Sequence, residues 1–159
     1  MNKNLMSLAF LLMSAAASGQ TSADSVKMVI GKMFTAMKTG DSSLLTSCFA
    51  DSAILQTVAK SKAGTVYIRN EGIRDFAKQI VSLPKGDADE RITFDIVKVD
   101  ADLAIAWTPY QFYFKGNFSH CGVNSFQLVR LNGEWKIQYI IDTRRKDNCI
   151  ESRSTKTKK

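Results

Sequence analysis

From Arg91 onward the apolar residues change their spacing, and that change constrains the fold more than any other feature of the chain. In "RITFDIVKV", "LAIAWTPYQFYF", "SHCGVNSFQLVRL" and "EWKIQYIIDT" they recur at every second position, and the turns "DAD", "KGN" and "NG" separate the segments. A period of two sends alternate side chains to opposite faces of a strand. Asn132-Gly133 tolerates the positive φ angles of a two-residue type I′ turn. The four segments therefore read as an antiparallel meander of four strands.

Upstream the period is helical. Asp24 can cap a helix whose apolar residues Val26, Val29, Ile30, Met33, Phe34 and Met37 fall three and four apart, and Gly40 ends it. Asp41 or Ser42 can cap a short second helix through Leu44 and Leu45. "SAILQTV" and "TVYIR" are β-prone segments around a turn at Gly64. Asn70 offers a cap for a third helix carrying Ile73, Phe76, Ala77 and Ile80, which "SLPKGDADE" terminates. Helices first and a long meander afterwards give an α+β domain with helices covering one face of a curved antiparallel sheet.

The Asn132-Gly133 turn pairs Leu131 with Glu134. Unbroken pairing then places Leu128 opposite Ile137, Phe126 opposite Tyr139, Asn124 opposite Ile141 and His120 opposite Arg145. If Phe114 faces Ser119, the preceding strand adds Ile105, Trp107, Gln111 and Tyr113 to that face. The face is sorted along its length. Trp107, Phe126 and Leu128 make an apolar end, and Gln111, Tyr113, His120, Asn124 and Arg145 make a polar one. The other face, with Ser125, Gln127, Gln138, Asp142 and Arg144, is polar enough to meet water or a second subunit.

Charge narrows the partners. The chain's formal charge is +7, but from Arg144 onward seven basic residues against two acidic ones hold +5, and Lys3 holds +1. Residues 20 to 143 therefore carry only +1, without the basic face interleaved with aromatics that nucleic acid requires. No nucleic-acid partner is expected. Residues 147–159 read as a basic, solvated tail after a domain spanning 20–146.

Lys3, the apolar run Leu5 to Ala17 and the small residues of "AAASGQ" follow the order of a secretory signal peptide over residues 1–19, cleaved after Gly19. The run is shorter than the ~20 residues of a spanning helix. The expected mature protein is exported, periplasmic or secreted, with no membrane segment. An oxidising compartment admits a disulfide, and Cys121, placed opposite Arg144, lies five residues from Cys149 across the hairpin. Cys48, beside Phe49, reads as a small buried apolar residue.

The leading helical hairpin, "CFADSAILQT", "NEGIRDFAKQI" and the closing "GEWKIQYIIDTRR" together resemble the nuclear transport factor 2-like superfamily, with its SnoaL-like and ketosteroid-isomerase-like branches. "FSHCGVNSFQLVRLNGEWKIQYIIDTRRKDNC" is similar to the C-terminal half of small exported bacterial members of unassigned role. The resemblance implies a cone-shaped roll with a pocket between helices and sheet, and frequently a dimer through the outer sheet face. It does not fix a function, since the superfamily holds isomerases, lyases, transport factors and binding modules.

Among the residues themselves, His120 is the only histidine and the best general acid or base, with Tyr113 beside it to orient or donate. Asn124 could polarise a carbonyl and Arg145 could hold a carboxylate or phosphate. Trp107, Gln111, Asn124, Phe126, Tyr139 and Arg145 complete the expected ligand contacts. A single His with scattered cysteines makes no metal site, and no cofactor motif is present. The first expectation is an exported protein of unassigned activity that binds a small, partly apolar molecule. The alternatives are a SnoaL-like isomerase or dehydratase using His120, and a dimeric interaction module with a filled cone.

Overall fold

The computed structural model describes residues 21–150, so the leader at 1–19 and the last nine residues of the tail lie outside the described residues. Helix α1 (Ser22–Thr39) is capped by Thr21, not Asp24. The Thr21 hydroxyl oxygen accepts from the Asp24 backbone N–H at 3.1 Å and itself donates to the Asp24 carboxylate at 2.6 Å. This reciprocal closure satisfies an orphan N–H at the helix start. At the far end Gly40 takes φ 70° and donates its N–H to Ala36 O, a left-handed cap that suits glycine. Asp41 caps α2 (Ser42–Ser47) through the Leu44 N–H at 2.8 Å.

Strands β1 (Phe49–Lys60) and β2 (Val66–Glu71) pair antiparallel, followed by α3 (Ile73–Ser82). Asn70, expected to cap α3, instead belongs to β2 and accepts from Gln56 Nε2 at 2.8 Å; Gly72 holds the cap position without a side-chain bond. The segment "RITFDIVKV" is not one strand. β3 (Ala88–Ile92) and β4 (Ile96–Asp100) both pair antiparallel with β5 (Leu103–Phe114), β3 along its second half and β4 along its first. β6 (Asn117–Leu131) and β7 (Glu134–Arg145) complete the meander through Asn132 and Gly133, both at positive φ.

The strands form one curved, open, mixed sheet in the order β2-β1-β7-β6-β5-β3, with β4 also on β5 and the β1–β7 pairing parallel. The three helices cover one face. Val26, Ile30, Met33, Phe34 and Met37 of α1 pack there against Phe126, Leu128 and Ile137, and the Phe34 and Phe126 rings meet edge to face at 6.2 Å. Phe126, Leu128 and Ile137 are fully buried, each worth about 2 kcal/mol of apolar burial.

Two irregularities decide which side chains reach that face. Between β6 and β7 the pairing runs Leu128 to Ile137 and then Gln127 to Tyr139, so Gln138 is an extra residue in β7. Beyond it Phe126 faces Ile140 and Asn124 faces Asp142, and the expected pairings of Phe126 with Tyr139, Asn124 with Ile141 and His120 with Arg145 do not occur. Between β5 and β6, Phe114 faces Asn117, Phe112 faces His120, Ala106 faces Phe126 and Ala104 faces Leu128. Each shift of one residue turns a strand over.

Candidate functional site

Helices and sheet do not close completely on each other. They leave a cavity of about 590 Å³. A filled cone is therefore not what this chain forms. The cavity's apolar lining comes from Met33, Phe34 and Met37 of α1, Leu55 of β1, Phe76 and Ile80 of α3, Phe126 of β6 and Ile140 of β7. Its polar end is built by Glu90, His120, Asn124, Asp142 and Arg144, with Thr57 beside them. Arg69, Glu71, Asp75 and Gln79 line the β2–α3 side.

Glu90 is half-buried, and it lines the cavity. Asn124 Nδ2 donates to its Oε1 at 2.8 Å and lies 3.5 Å from Thr108 Oγ1. Burial raises the Glu90 carboxyl to about 7, and the nearby Asp142 charge adds to the rise, while the Asn124 hydrogen bond and the Arg144 charge oppose it. This carboxyl can therefore hold or release a proton near neutrality. Asp142 is neutralised by Arg144, whose Nε donates to it at 2.8 Å, and the Arg144 fork reaches Thr57 Oγ1 at 3.4 Å.

Behind this group lies Tyr110, which crosses from β5 over β6 to donate to Thr143 O at 2.9 Å, its hydroxyl also 3.3 Å from Asp142. The crossing is possible because residue 122 is glycine: a Cβ there would collide with Thr143 O and come within 2.7 Å of the Tyr110 ring. His120 is wedged between Phe112, with ring centroids 5.0 Å apart, and the edge-on Tyr110 at 5.8 Å. Its Nδ1 lies 3.1 Å from Ser119 Oγ, and its Nε2 has no hydrogen-bond partner among the described residues. Burial and the Arg144 charge lower the imidazole below its ordinary value, so it is neutral at pH 7.

The sequence pattern of the family described as "Putative lumazine-binding" matches residues 21–139, well over half of the chain. The chain belongs to that family. No curated protein matches it. Among solved structures the lumazine-binding-like chain is similar to an NTF2-like protein of unknown function from Shewanella baltica, at TM-score 0.59 and 13% identity over 77% of this chain and 93% of that one. It is also similar to a cystatin-like-fold domain of unknown function from Nostoc punctiforme (TM-score 0.61, 17% identity, 80% and 81% covered). A third is a ketosteroid isomerase-like protein from Erwinia carotovora atroseptica (TM-score 0.58, 13% identity, 79% and 97% covered). These likenesses establish the NTF2-like fold that the sequence resembles.

Of the residues expected in the site of this lumazine-binding-like chain, His120, Asn124 and Phe126 line the cavity. Trp107, Gln111, Tyr113, Tyr139 and Arg145 do not. The β5 pairing puts Trp107, Gln111 and Tyr113 on the outer face, where Tyr113 donates to Gln111 Oε1 at 3.0 Å and takes the Arg91 guanidinium 4.0 Å over its ring. The extra residue Gln138 turns Tyr139 outward to donate to Gln56 Oε1 at 2.6 Å. Arg145 Nε donates to Asn148 O at 3.0 Å and serves the C-terminal turn.

The same bulge brings Asp142 and Arg144, expected on the outer face, into the cavity. The sequence does not mark Glu90, because "DADE" reads as a helix-ending loop, although Ala88, Glu90 and Ile92 alternate in the manner of a strand. Cys121 and Cys149 are joined by a disulfide, with their Cα atoms 5.7 Å apart and Cys121 facing Arg145, not Arg144. Cys48 is buried and free.

Proposed function

We propose that this chain binds a small molecule with an apolar body and a polar head in the cavity between helices and sheet. The observation that carries the reading is the cavity itself: about 590 Å³, apolar along α1 and α3, with Glu90, His120, Asn124 and Arg144 converging at its polar end. Pockets of this size and make-up are the usual form of small-molecule sites. The family's name supplies a first probe, lumazine. Calorimetric titration of lumazine into the purified protein, with native mass spectrometry of protein taken from its own host, tests the reading. Micromolar binding lost in Phe126→Ala supports it; no retained mass and no saturable heat from lumazine or from any probe with an apolar body would overturn it.

A second reading, an isomerase- or lyase-type reaction with His120 as acid or base, is favoured by the open Nε2 at the cavity wall. Tyr113 is no part of it, because it faces the other side of the sheet. Turnover that survives His120→Ala would end that reading. The leader-like start of the chain and the Cys121–Cys149 disulfide support export, and no helix among the described residues is long and apolar enough to cross a membrane. Assembly as a homodimer through the outer sheet face is proposed on the apolar residues exposed there, Ile54, Ile105 and Trp107.

A further inference from the structure

The charged groups around the cavity are unevenly matched. Four carboxylates line it, Glu71, Asp75, Glu90 and Asp142, against the two guanidinium groups of Arg69 and Arg144. Asp142 takes Arg144 at 2.8 Å, and Asp75 at the rim is held by Lys78 at 3.6 Å. Glu71 and Arg69 remain as opposite rim charges. Glu90, half-buried in the cavity wall, forms no ion pair among the described residues, and its one side-chain hydrogen bond comes from the neutral amide of Asn124.

Every element packed around Glu90 leaves it unmatched. From β5 the facing titratable group is Tyr110, and from β7 it is the already paired Asp142 and Arg144. From β6 come Asn124 and the neutral imidazole of His120. Helix α1 offers Met33, Phe34 and Met37 to the cavity and sends Lys38 to the neighbouring Asp89 at 3.0 Å. A carboxyl that a bound ligand removes from water needs a cation or a proton.

We propose that the cavity selects ligands whose polar head is a cation, an ammonium or protonated nitrogen base on an apolar body, with Glu90 as its counter-ion. The proposal rests on the binding reading above and specifies the head group. An anionic head would meet Glu90 and Asp142 with only the engaged Arg144 to offset them. A neutral head would leave Glu90 without its partner. Because Glu90 ionises near pH 7, a cationic head binding at or below that pH displaces a proton from the carboxyl, and the charge pair forms without it above that pH.

The test uses the oxidised chain and three probes with one apolar body: naphthylmethylamine, naphthylmethanol and naphthoate, titrated calorimetrically near pH 6 and pH 8. The amine should bind at least about tenfold tighter than the alcohol near pH 8, with naphthoate weakest, and the gap should narrow near pH 6. Glu90→Gln, which keeps an acceptor for Asn124, should bring the amine down to the alcohol. Should that variant not fold, the two pH values on the unaltered chain decide alone. Alcohol or naphthoate binding as tightly as the amine, or an amine preference that ignores pH or survives Glu90→Gln, overturns the head-group assignment only. If none of the three binds, the head-group assignment falls, and the binding reading falls with it only if lumazine gives no saturable heat and the protein retains no mass.

Discussion

Glu90 is the residue whose environment is most at odds with its chemistry, and its titration gives a signed expectation. Its carboxyl rises from an ordinary 4.5 to about 7 in the folded chain. A raised value means that the contribution to stability is fully present below about pH 4.5 and is lost as pH rises through about 7, because the unfolded chain ionises first. Glu90→Gln has no such titration. The stability difference between Glu90→Gln and the parent should therefore move in the variant's favour between pH 5 and pH 8, by on the order of 2–3 kcal/mol. Urea unfolding at both pH values checks this, and parallel profiles would refute it. At the same scale, Gly122→Ala should cost about 3 kcal/mol, because the new methyl meets backbone on β7 as well as the Tyr110 ring. Tyr110→Phe should cost only about 1 kcal/mol through the lost bond to Thr143 O. Equal losses in the two variants would contradict this account of the crossing.

At the scale of elements, what could be read from the sequence and what could not separate cleanly. The stripe of α1, its end at Gly40, the Asp41 cap of α2, the β1–β2 pair and the Asn132-Gly133 hairpin are local facts, written in spacing and turn chemistry. The faces of β5 and β7 are not local. They depend on Gln138, which no turn residue announces and which is held from another strand: Gln138 Nε2 donates to Ser52 O at 3.1 Å, within the stretch of β1 where its own pairing with β7 jumps from Phe49 to Ile54. Two irregular stretches of backbone thus satisfy each other across the parallel β1–β7 seam. His120, Asn124 and Phe126 were legible because they sit on β6, whose inner face is the same in either pairing; Asp142 and Arg144 were not. Deleting Gln138 should remove the bulge and leave Ile137, Tyr139, Ile140, Asp142 and Arg144 on the faces they now hold, because Leu128–Ile137 and Gln127–Tyr139 then become consecutive pairs. The urea midpoint should then fall only modestly, by about 1 kcal/mol in stability for the lost Gln138 hydrogen bond to Ser52 O, and the cavity should keep its ligand affinity. A folded variant that no longer binds ligand, as it would with Tyr139 and Ile141 turned into the cavity, would mean that Gln138 is not the extra residue that sets the face.

The whole molecule is held at its C-terminal end by the Cys121–Cys149 disulfide, which closes a sequence separation of 28 residues around β7. In the chain-entropy account such a loop is worth about 3 kcal/mol. The paired change of Cys121 and Cys149 to serine should lower stability by that order, and thiol titration of the unfolded, unreduced parent should find one free thiol, that of Cys48.

The outer sheet face bears on assembly, and the same pairings that emptied the expected pocket filled it. Ile105, Gln127, Tyr139 and Ile54 lie in one row across β5, β6, β7 and β1, and Trp107, Ser125, Ile141 and Gln56 lie in the next. Ile54, Ile105 and Trp107 are 50%, 42% and 43% exposed, so the middle of this face is apolar where an unpartnered sheet would be polar. A two-fold contact would set each row against its copy and bury Trp107, a residue type that anchors interfaces. Sedimentation at micromolar concentration should therefore show a dimer for the parent and a monomer for the Ile105→Ser/Trp107→Ser variant. Because the cavity opens on the opposite face, ligand affinity should be the same in both. A parent that sediments as a monomer at concentrations near 0.1 mM would leave this face as exposed surface and remove the dimer from the proposal.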